Sequence, residues 1–343
     1  MKPQSPNQPP RAILVICVRY LGDTLLLRPA LRALRTAFPG ARIDALVTAG
    51  TACALDDCAD VSRVIEWPRS LTGGLALLAR IAGSGYDWAV DFTGNDRSAL
   101  IALASRARFR TAYERPKLPA YSLRRAAYHF RPVHRKAKPH AVIQRLELLE
   151  ACGVAPQGTA CGLVPRADAL AWADAAMGGL PTPRLHVHVT SRDMQKAIPS
   201  DVVRTVLAHT IDSGGGVVVT CGSAESEKAH IAKSLAGLDS AKVRSFDNLS
   251  WHQLVALIAR CDKYWGSDTA PAHIASALEK PLLIHFGPSR ADHWHPLHSA
   301  GTFDVQACAC LSKKTKTKCP PGRPGTCLER LDAQQILRAL GSL

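Results

Sequence analysis

Four short stretches of the chain gather glycine, hydroxyl, cation and carboxylate residues of the kinds that bind anions and move protons. Arg19-Tyr20-Leu21-Gly22-Asp23-Thr24 follows an apolar run and opens a helical pattern, so Gly22 permits a tight turn and Asp23 stands beside helix amides. A carboxylate placed there can act as a base; the same Asp also suits a helix N-cap. Thr190-Ser191-Arg192-Asp193-Met194-Gln195-Lys196 sets hydroxyls and two cations ahead of another helical pattern. That combination suits a phosphate, although a solvated polar loop has the same composition. Gly266-Ser267-Asp268-Thr269-Ala270-Pro271-Ala272-His273 places Asp268 at the end of an apolar run, with Pro271 and His273 in a first helical turn. Proline fits that turn because an N–H there would be unpaired anyway. Gly287-Pro288-Ser289 adds a small-residue loop after the next apolar run.

What is missing narrows the chemistry. No G-x-G-x-x-G follows an expected strand and there is no G-x-x-x-x-G-K-[ST], so nicotinamide and P-loop chemistry lack their fingerprints and no cofactor is expected. No two Asp residues are separated by a single residue, so a metal-bridged Asp-x-Asp site is unsupported as well. Diphosphate charge would have to be met by Lys, Arg and backbone amides.

These loops sit between alternating β-branched runs and helical patterns, the signature of parallel sheets flanked by helices. Strands are expected at Ala12–Val18, Arg42–Val47, Arg63–Trp67 and Asp87–Phe92, with helices at Leu25–Ala37, Leu71–Ala82, from about Ser98, and Val142–Ala151. The alternation weakens between Arg106 and Pro139. It restarts with strands at Leu185–Val189, Val217–Thr220, Lys263–Gly266 and Leu282–Phe286, and helices at Ser200–Ser213, Ala224–Leu235, Trp251–Arg260 and Ala270–Glu279. The fold class is therefore α/β: a Rossmann-like domain over residues 1–165, a linker over 166–183 marked by Gly178, Gly179, Pro181 and Pro183, and a second Rossmann-like domain over 184–343. Ligands of such sheets bind beyond the carboxyl ends of the strands, where all four loops fall.

The 343 residues suffice for two cores, and 47% hydrophobic with 21% charged residues excludes wholesale disorder, collagen and coiled coil. A net charge of +15 calls for an anionic partner. Aromatics are only 6% and do not interleave with the basic runs, so nucleic acid is not expected. No apolar run approaches the ~20 residues of a membrane span, and the polar, Pro-rich start lacks a cleavage site, which points to the cytosol. Seven of the eleven cysteines are scattered as core thiols; Cys308, Cys310, Cys319 and Cys327 cluster in a Lys-rich tail. These four are compatible with structural zinc or with a reduced loop, the spacing lacking the usual paired C-x-x-C knuckles.

The stretches Ile13 to Leu46, Tyr86 to Leu100 and Gly266 to Ser289 together resemble the lipopolysaccharide core heptosyltransferases of glycosyltransferase family 9. The form Asp268-Thr269-Ala270-Pro271-Ala272-His273-Ile274-Ala275, with HFGPSRADHWHPL behind it, is most similar to the branch that adds the third, side-chain heptose. The resemblance implies a GT-B fold, two Rossmann-like domains facing across a cleft. It implies metal-independent, inverting transfer of heptose from ADP-heptose to the phosphorylated inner core of lipopolysaccharide, at the cytoplasmic face of the inner membrane. On it, Asp23 would be the catalytic base. Lys196 would bind phosphate beside Thr190, Ser191 and Arg192, although the Ser191-to-Lys196 spacing differs by one residue from the commoner pattern. Asp268 would hold donor hydroxyls, the amides of Thr269 and Ala270 with His273 would meet the diphosphate, and Glu225 loosely matches a ribose contact. The terminal helix near Ala333–Leu340 would pack back across the domains. A transferase of the same scaffold using another ADP-sugar or a different acceptor is the alternative.

The charge is concentrated. Between Arg106 and Lys138 stand eleven Lys or Arg against one acid, Glu114. Arg19, Arg106, Arg108, Arg110, Arg115, Lys117, Arg124 and Arg125 are accordingly expected to grip an anionic acceptor and an anionic membrane surface. A merely solvated basic face is the other reading.

Overall fold

A computed structural model describes residues 6, 8–114, 119, 122–133, 139–287, 289–297, 302–305 and 328–343. The chain divides into two compact units, Met1–Cys161 and Gly162–Leu343.

The first unit is built on a parallel five-stranded sheet in the order β3-β2-β1-β4-β5. Its strands are β1 (Ala12–Cys17), β2 (Arg42–Thr48), β3 (Arg63–Trp67), β4 (Trp88–Asp91) and β5 (Phe109–Ala112). β1 is buried at every position and pairs with β2 from Ala12↔Arg42 and with β4 from Ile13↔Trp88. A strand covered on both faces reads as an unbroken apolar run, which is why AILVIC stands out. The helix expected from Leu25 starts earlier and is broken: α1 (Leu21–Leu25) ends before α2 (Arg28–Ala37) begins. Pro29, in the first turn of α2, has no N–H to continue the α1 ladder, so the backbone restarts there. Helices α3 (Leu71–Ala82) and α4 (Asp96–Ala104) connect strands that step one way across the sheet, so right-handed crossovers put both on one face. There α3 packs on α4 and α4 on the short α5 (Leu123–Ala126), while α2 packs on α6 (Ala141–Ala151).

β5 lies in the region where the sequence alternation weakened. It is a four-residue edge strand interrupted by Arg110, whose guanidinium is turned onto the carbonyls of Ala127 (2.7 Å) and Ala107 (2.8 Å). Short, charged edges of this kind resist further strand pairing and hide from periodicity.

The second unit has a parallel six-stranded sheet in the order β11-β10-β9-β6-β7-β8. The strands are β6 (Arg184–His188), β7 (Gly216–Thr220), β8 (Val243–Phe246), β9 (Lys263–Ser267), β10 (Leu282–Phe286) and β11 (Thr302–Val305). Flanking helices include α7 (Ala167–Ala176), α8 (Ser200–Asp212), α9 (Glu225–Leu235), α10 (Trp251–Ala259) and α11 (Ala270–Ala277). The stretch expected as a linker, 166–183, is part of this unit instead. Its helix α7 packs on α10, and Ala169, Ala173, Met177 and Leu180 form a core cluster with Val218, Ala256 and Leu257. The Gly and Pro residues that suggested a linker form the short turn from α7 into β6. The C-terminal helix Ala333–Gly341 packs on its own unit, burying Ile336 and Leu340 among Val203, Val206 and Leu207 of α8. No helix among the described residues is long and apolar enough to cross a membrane.

Candidate functional site

In the first unit the carboxyl ends of β1 and β4 are laced together. The Val18 N–H donates to Thr93 Oγ1 (2.8 Å) and Arg19 Nη2 to the Thr93 carbonyl (3.2 Å). Asp91 organises this turn by accepting from the N–H groups of Thr93 (2.7 Å) and Gly94 (3.2 Å) and from the Tyr128 hydroxyl. Burial raises its carboxyl above the usual range, and these donors, with Ser98, oppose the rise.

Asp23 is the third residue of α1 and does not cap it; the N-cap is Tyr20, with no side-chain capping bond. Its carboxylate is 6% exposed and Oδ1 accepts from Nη2 of Arg145, itself 5% exposed, at 3.2 Å. Arg145 reaches it from α6, 122 residues away in the chain. Sequence reasoning passed over Arg145, yet a signal was there: it falls on the apolar face of α6 with Val142, Leu146 and Leu149, where an Arg needs an internal partner. The nearby Cys17 thiol is pushed up to about 12 by burial, so it is neither a nucleophile nor a counter-charge.

In the second unit Leu185 and Val187 of β6, with Val189 just beyond it, join the core cluster, and His186, His188 and Thr190 alternate with them. Burial pushes both His side chains down, His188 to about 4, so neither supplies a cation for phosphate near neutral pH. Thr190 is fully buried and its hydroxyl donates to Glu227 Oε2 (2.8 Å), which also accepts from the Gly222 N–H (3.2 Å). A Cβ on Gly222 would lie 2.5 Å from Glu227 Oε1, so any larger residue would have to displace this carboxylate. Glu227 thus ties the loop after β6 to the loop after β7.

Lys196 and Asp268 meet from loops 72 residues apart, Nζ to Oδ2 at 3.2 Å, with Asp268 buried and the lysine part-exposed. Thr269 is the N-cap of α11 but lends no side-chain bond to it, and Ala270 and Pro271 open the first turn. His273 stands edge-on to Trp294, ring centroids 6.2 Å apart. Ser191 accepts from the Asp193 N–H (3.3 Å), and Arg192 is exposed. Glu225 points to solvent, 89% exposed, and pairs with Lys228 at 3.3 Å.

The basic stretch is partly neutralised from within. Arg124 forks onto Asp96 (2.6 and 3.1 Å), and Arg125 (3.2 Å) and Arg131 (2.7 Å) share Glu114. Arg110 is committed to backbone carbonyls, and burial lowers its pKa from the usual arginine value. Arg106 and Arg108 are exposed. Arg115, Lys117 and the four tail cysteines Cys308, Cys310, Cys319 and Cys327 lie outside the described residues. No group of three or more metal-ligating side chains occurs among the described residues.

Two doubly wound parallel sheets, each with polar loops at its carboxyl edge, are the architecture of the GT-B class. The sequence profile of glycosyltransferase family 9 (heptosyltransferase) matches residues 75–320, and the chain belongs to that family. It is 24% identical over 289 residues to lipopolysaccharide heptosyltransferase 3 of Escherichia coli K12, covering 81% of this chain and 83% of that protein. Among solved structures it resembles a family 9 glycosyl transferase from Veillonella parvula (TM-score 0.78, 17% identity, 97% and 96% of the two chains). It also resembles E. coli heptosyltransferase WaaC with ADP-2-deoxy-2-fluoro heptose (TM-score 0.72, 20% identity, 96% and 99%).

Proposed function

We propose that this protein transfers a heptose from ADP-heptose to the inner core of lipopolysaccharide, with inversion, without a metal, and as the branch that adds the side-chain heptose. The observation that carries the reading is the Asp23 carboxylate. Among the described residues its side chain accepts one hydrogen bond, at Oδ1, so Oδ2 can take a proton. In one in-line step Asp23 removes the proton of an acceptor hydroxyl, the oxygen bonds to the anomeric carbon, and the bond to the β-phosphate oxygen breaks with ADP leaving from the opposite face. Lys196 and the first amides of α11 stabilise the charge that develops on ADP. Asp268 holds Lys196 in place and presents a carboxylate to donor hydroxyls. The 24%-identical E. coli relative named heptosyltransferase 3 supports the branch.

Incubation with ADP-heptose and a series of truncated core acceptors, read by mass spectrometry, should add one heptose to a core that already carries two. NMR should find the new anomeric centre inverted, and EDTA should leave the rate unchanged. Turnover only with another ADP-sugar, or with a different class of acceptor, would move the protein to the alternative assignment.

The acceptor side of this reading includes an anionic bilayer. Leu71 and Leu75 of α3 are 81% and 60% exposed, and Leu100 of α4 and Leu123 of α5 are exposed as well. These helices begin beyond the carboxyl ends of β3, β4 and β5, and the exposed Arg97 stands three residues before Leu100. Apolar side chains with adjacent cations suit insertion between anionic headgroups. Leu71→Asn with Leu75→Asn should reduce co-sedimentation with phosphatidylglycerol vesicles several-fold and leave ADP affinity alone; equal sedimentation removes this face from consideration.

A further inference from the structure

We infer that Arg145 is the positioning residue of the Asp23 carboxylate, a role distinct from gripping the acceptor and resting on the reading of Asp23 as the base. Four observations support it. The pair is buried on both sides and spans 122 residues of chain, so the β1–α1 loop and α6 must both be in place before it forms. Arg145 engages Oδ1 alone. One carboxylate oxygen is thereby fixed in direction and the other remains available, the geometry a base needs before its substrate arrives.

The third observation is that the pair is incompletely satisfied. Nη1 of Arg145 is buried with no hydrogen-bond partner among the described residues. A buried ion pair is commonly replaceable by apolar residues without loss of stability, and an unpaired buried donor makes the arrangement less favourable still. Packing alone would favour a Leu or Met at this point of the apolar face of α6. A costly charge at a site of proton transfer is better explained by function than by folding. Burial keeps Nη1 from a substrate and Nη2 is engaged with Asp23, so these two nitrogens act through the carboxylate.

Fourth, neither Asp91 nor Cys17, the other acidic groups at this edge, competes for Arg145. Asp91 is already bound by two backbone N–H groups and by Tyr128, and Cys17, whose Sγ lies 3.9 Å from Arg145 Nη2, carries no charge. Arg145 therefore supplies the counter-charge that a buried carboxylate requires, and supplies it to Asp23.

A double-mutant cycle tests this, with kcat, both KM values and ADP affinity measured for Arg145→Met, Arg145→Lys, Asp23→Asn and the Asp23→Asn/Arg145→Met pair. Misplacing a reacting group by about 1 Å costs on the order of 10²-fold. We expect Arg145→Met to lower kcat by roughly that factor, with both KM values and ADP affinity nearly unchanged. Lys lacks the planar fork, so Arg145→Lys should recover only part of the rate. The double variant should be no slower than Asp23→Asn alone, because residues acting as one unit are non-additive. Wild-type kcat in Arg145→Met, or a double variant slower than Asp23→Asn by the full Arg145→Met factor, overturns the inference. Should Arg145→Met fail to fold, Arg145→Lys decides: lowered kcat at constant KM supports the role, and wild-type kcat rejects it. If Asp23→Asn is itself fully active, the base assignment fails; if Asp23→Asn is dead while Arg145→Met is unaffected, only the Arg145 inference falls.

Discussion

Asp23→Asn is expected to slow heptosyl transfer by about 10²–10⁴-fold, the usual contribution of a positioned base, while ADP binding persists. The amide matches the carboxylate in shape and still offers Oδ1 to Arg145, but it cannot take a proton. Donor affinity should survive because the residues assigned to ADP, Lys196 and the start of α11, belong to the other unit. Stability should not survive untouched. Breaking a buried ion pair from one side typically costs about 3–5 kcal/mol, since Arg145 keeps its charge in a site that is 5% exposed. Asn retains one hydrogen bond that Ala removes, so the melting temperature should fall in the order Asp, Asn, Ala while both variants lose transfer. Activity and folding are separated by measuring ADP affinity calorimetrically below the lowest melting point. Normal turnover by either variant with ADP-heptose and core acceptor would falsify the assignment.

The parallel sheets were legible because their central strands are buried on both faces. Arg63–Trp67, Leu71–Ala82 and Leu282–Phe286 lie where the apolar periods place them. β5, β8 and β11 were missed because each is a four-residue strand at a sheet edge, and β5 and β8 carry an Arg inside, Arg110 and Arg244. Edge strands need not alternate, since part of their surface faces water. The Gly and Pro cluster before β6 was read as a domain boundary although it only turns α7 back into its own sheet, and local composition cannot distinguish a turn within a domain from one between domains.

Candidate residues were legible by type where they closely follow a strand, as Asp23, Lys196 and Asp268 do. Arg145 and Glu227 escaped because each is defined by a partner far along the chain, Asp23 for one and Thr190 for the other. Charge counting had the opposite weakness. It credited Arg110, Arg124 and Arg125 to the acceptor, yet folding brings each against a carbonyl or a carboxylate of its own unit. Of the cations assigned to the acceptor, the exposed Arg106 and Arg108 retain the character that composition suggested.

The two glutamates of α9 give the second large effect, and they should behave oppositely. Glu227→Ala leaves the Thr190 hydroxyl and the Gly222 N–H without their acceptor, and each buried donor so orphaned costs about 1–3 kcal/mol. For a unit of this size each kcal/mol lowers the melting temperature by roughly 2–4 °C, so a loss of several degrees is expected. Because Glu227 joins the loops after β6 and β7, the loop carrying Ser191 and Lys196 should loosen and the KM for ADP-heptose should rise. Glu225→Ala removes only an exposed pair with Lys228, which keeps Asp247 at 3.0 Å. Such surface pairs are worth about 0–1 kcal/mol, so its melting temperature should hardly move. Glu227→Gln separates shape from charge: the amide oxygen can accept one of the two donors, so an intermediate melting point is expected. Should Glu225→Ala raise the donor KM while Glu227→Ala leaves it unchanged, the acidic contact to the donor belongs to the exposed residue after all, and the buried one is a staple between two loops and nothing more.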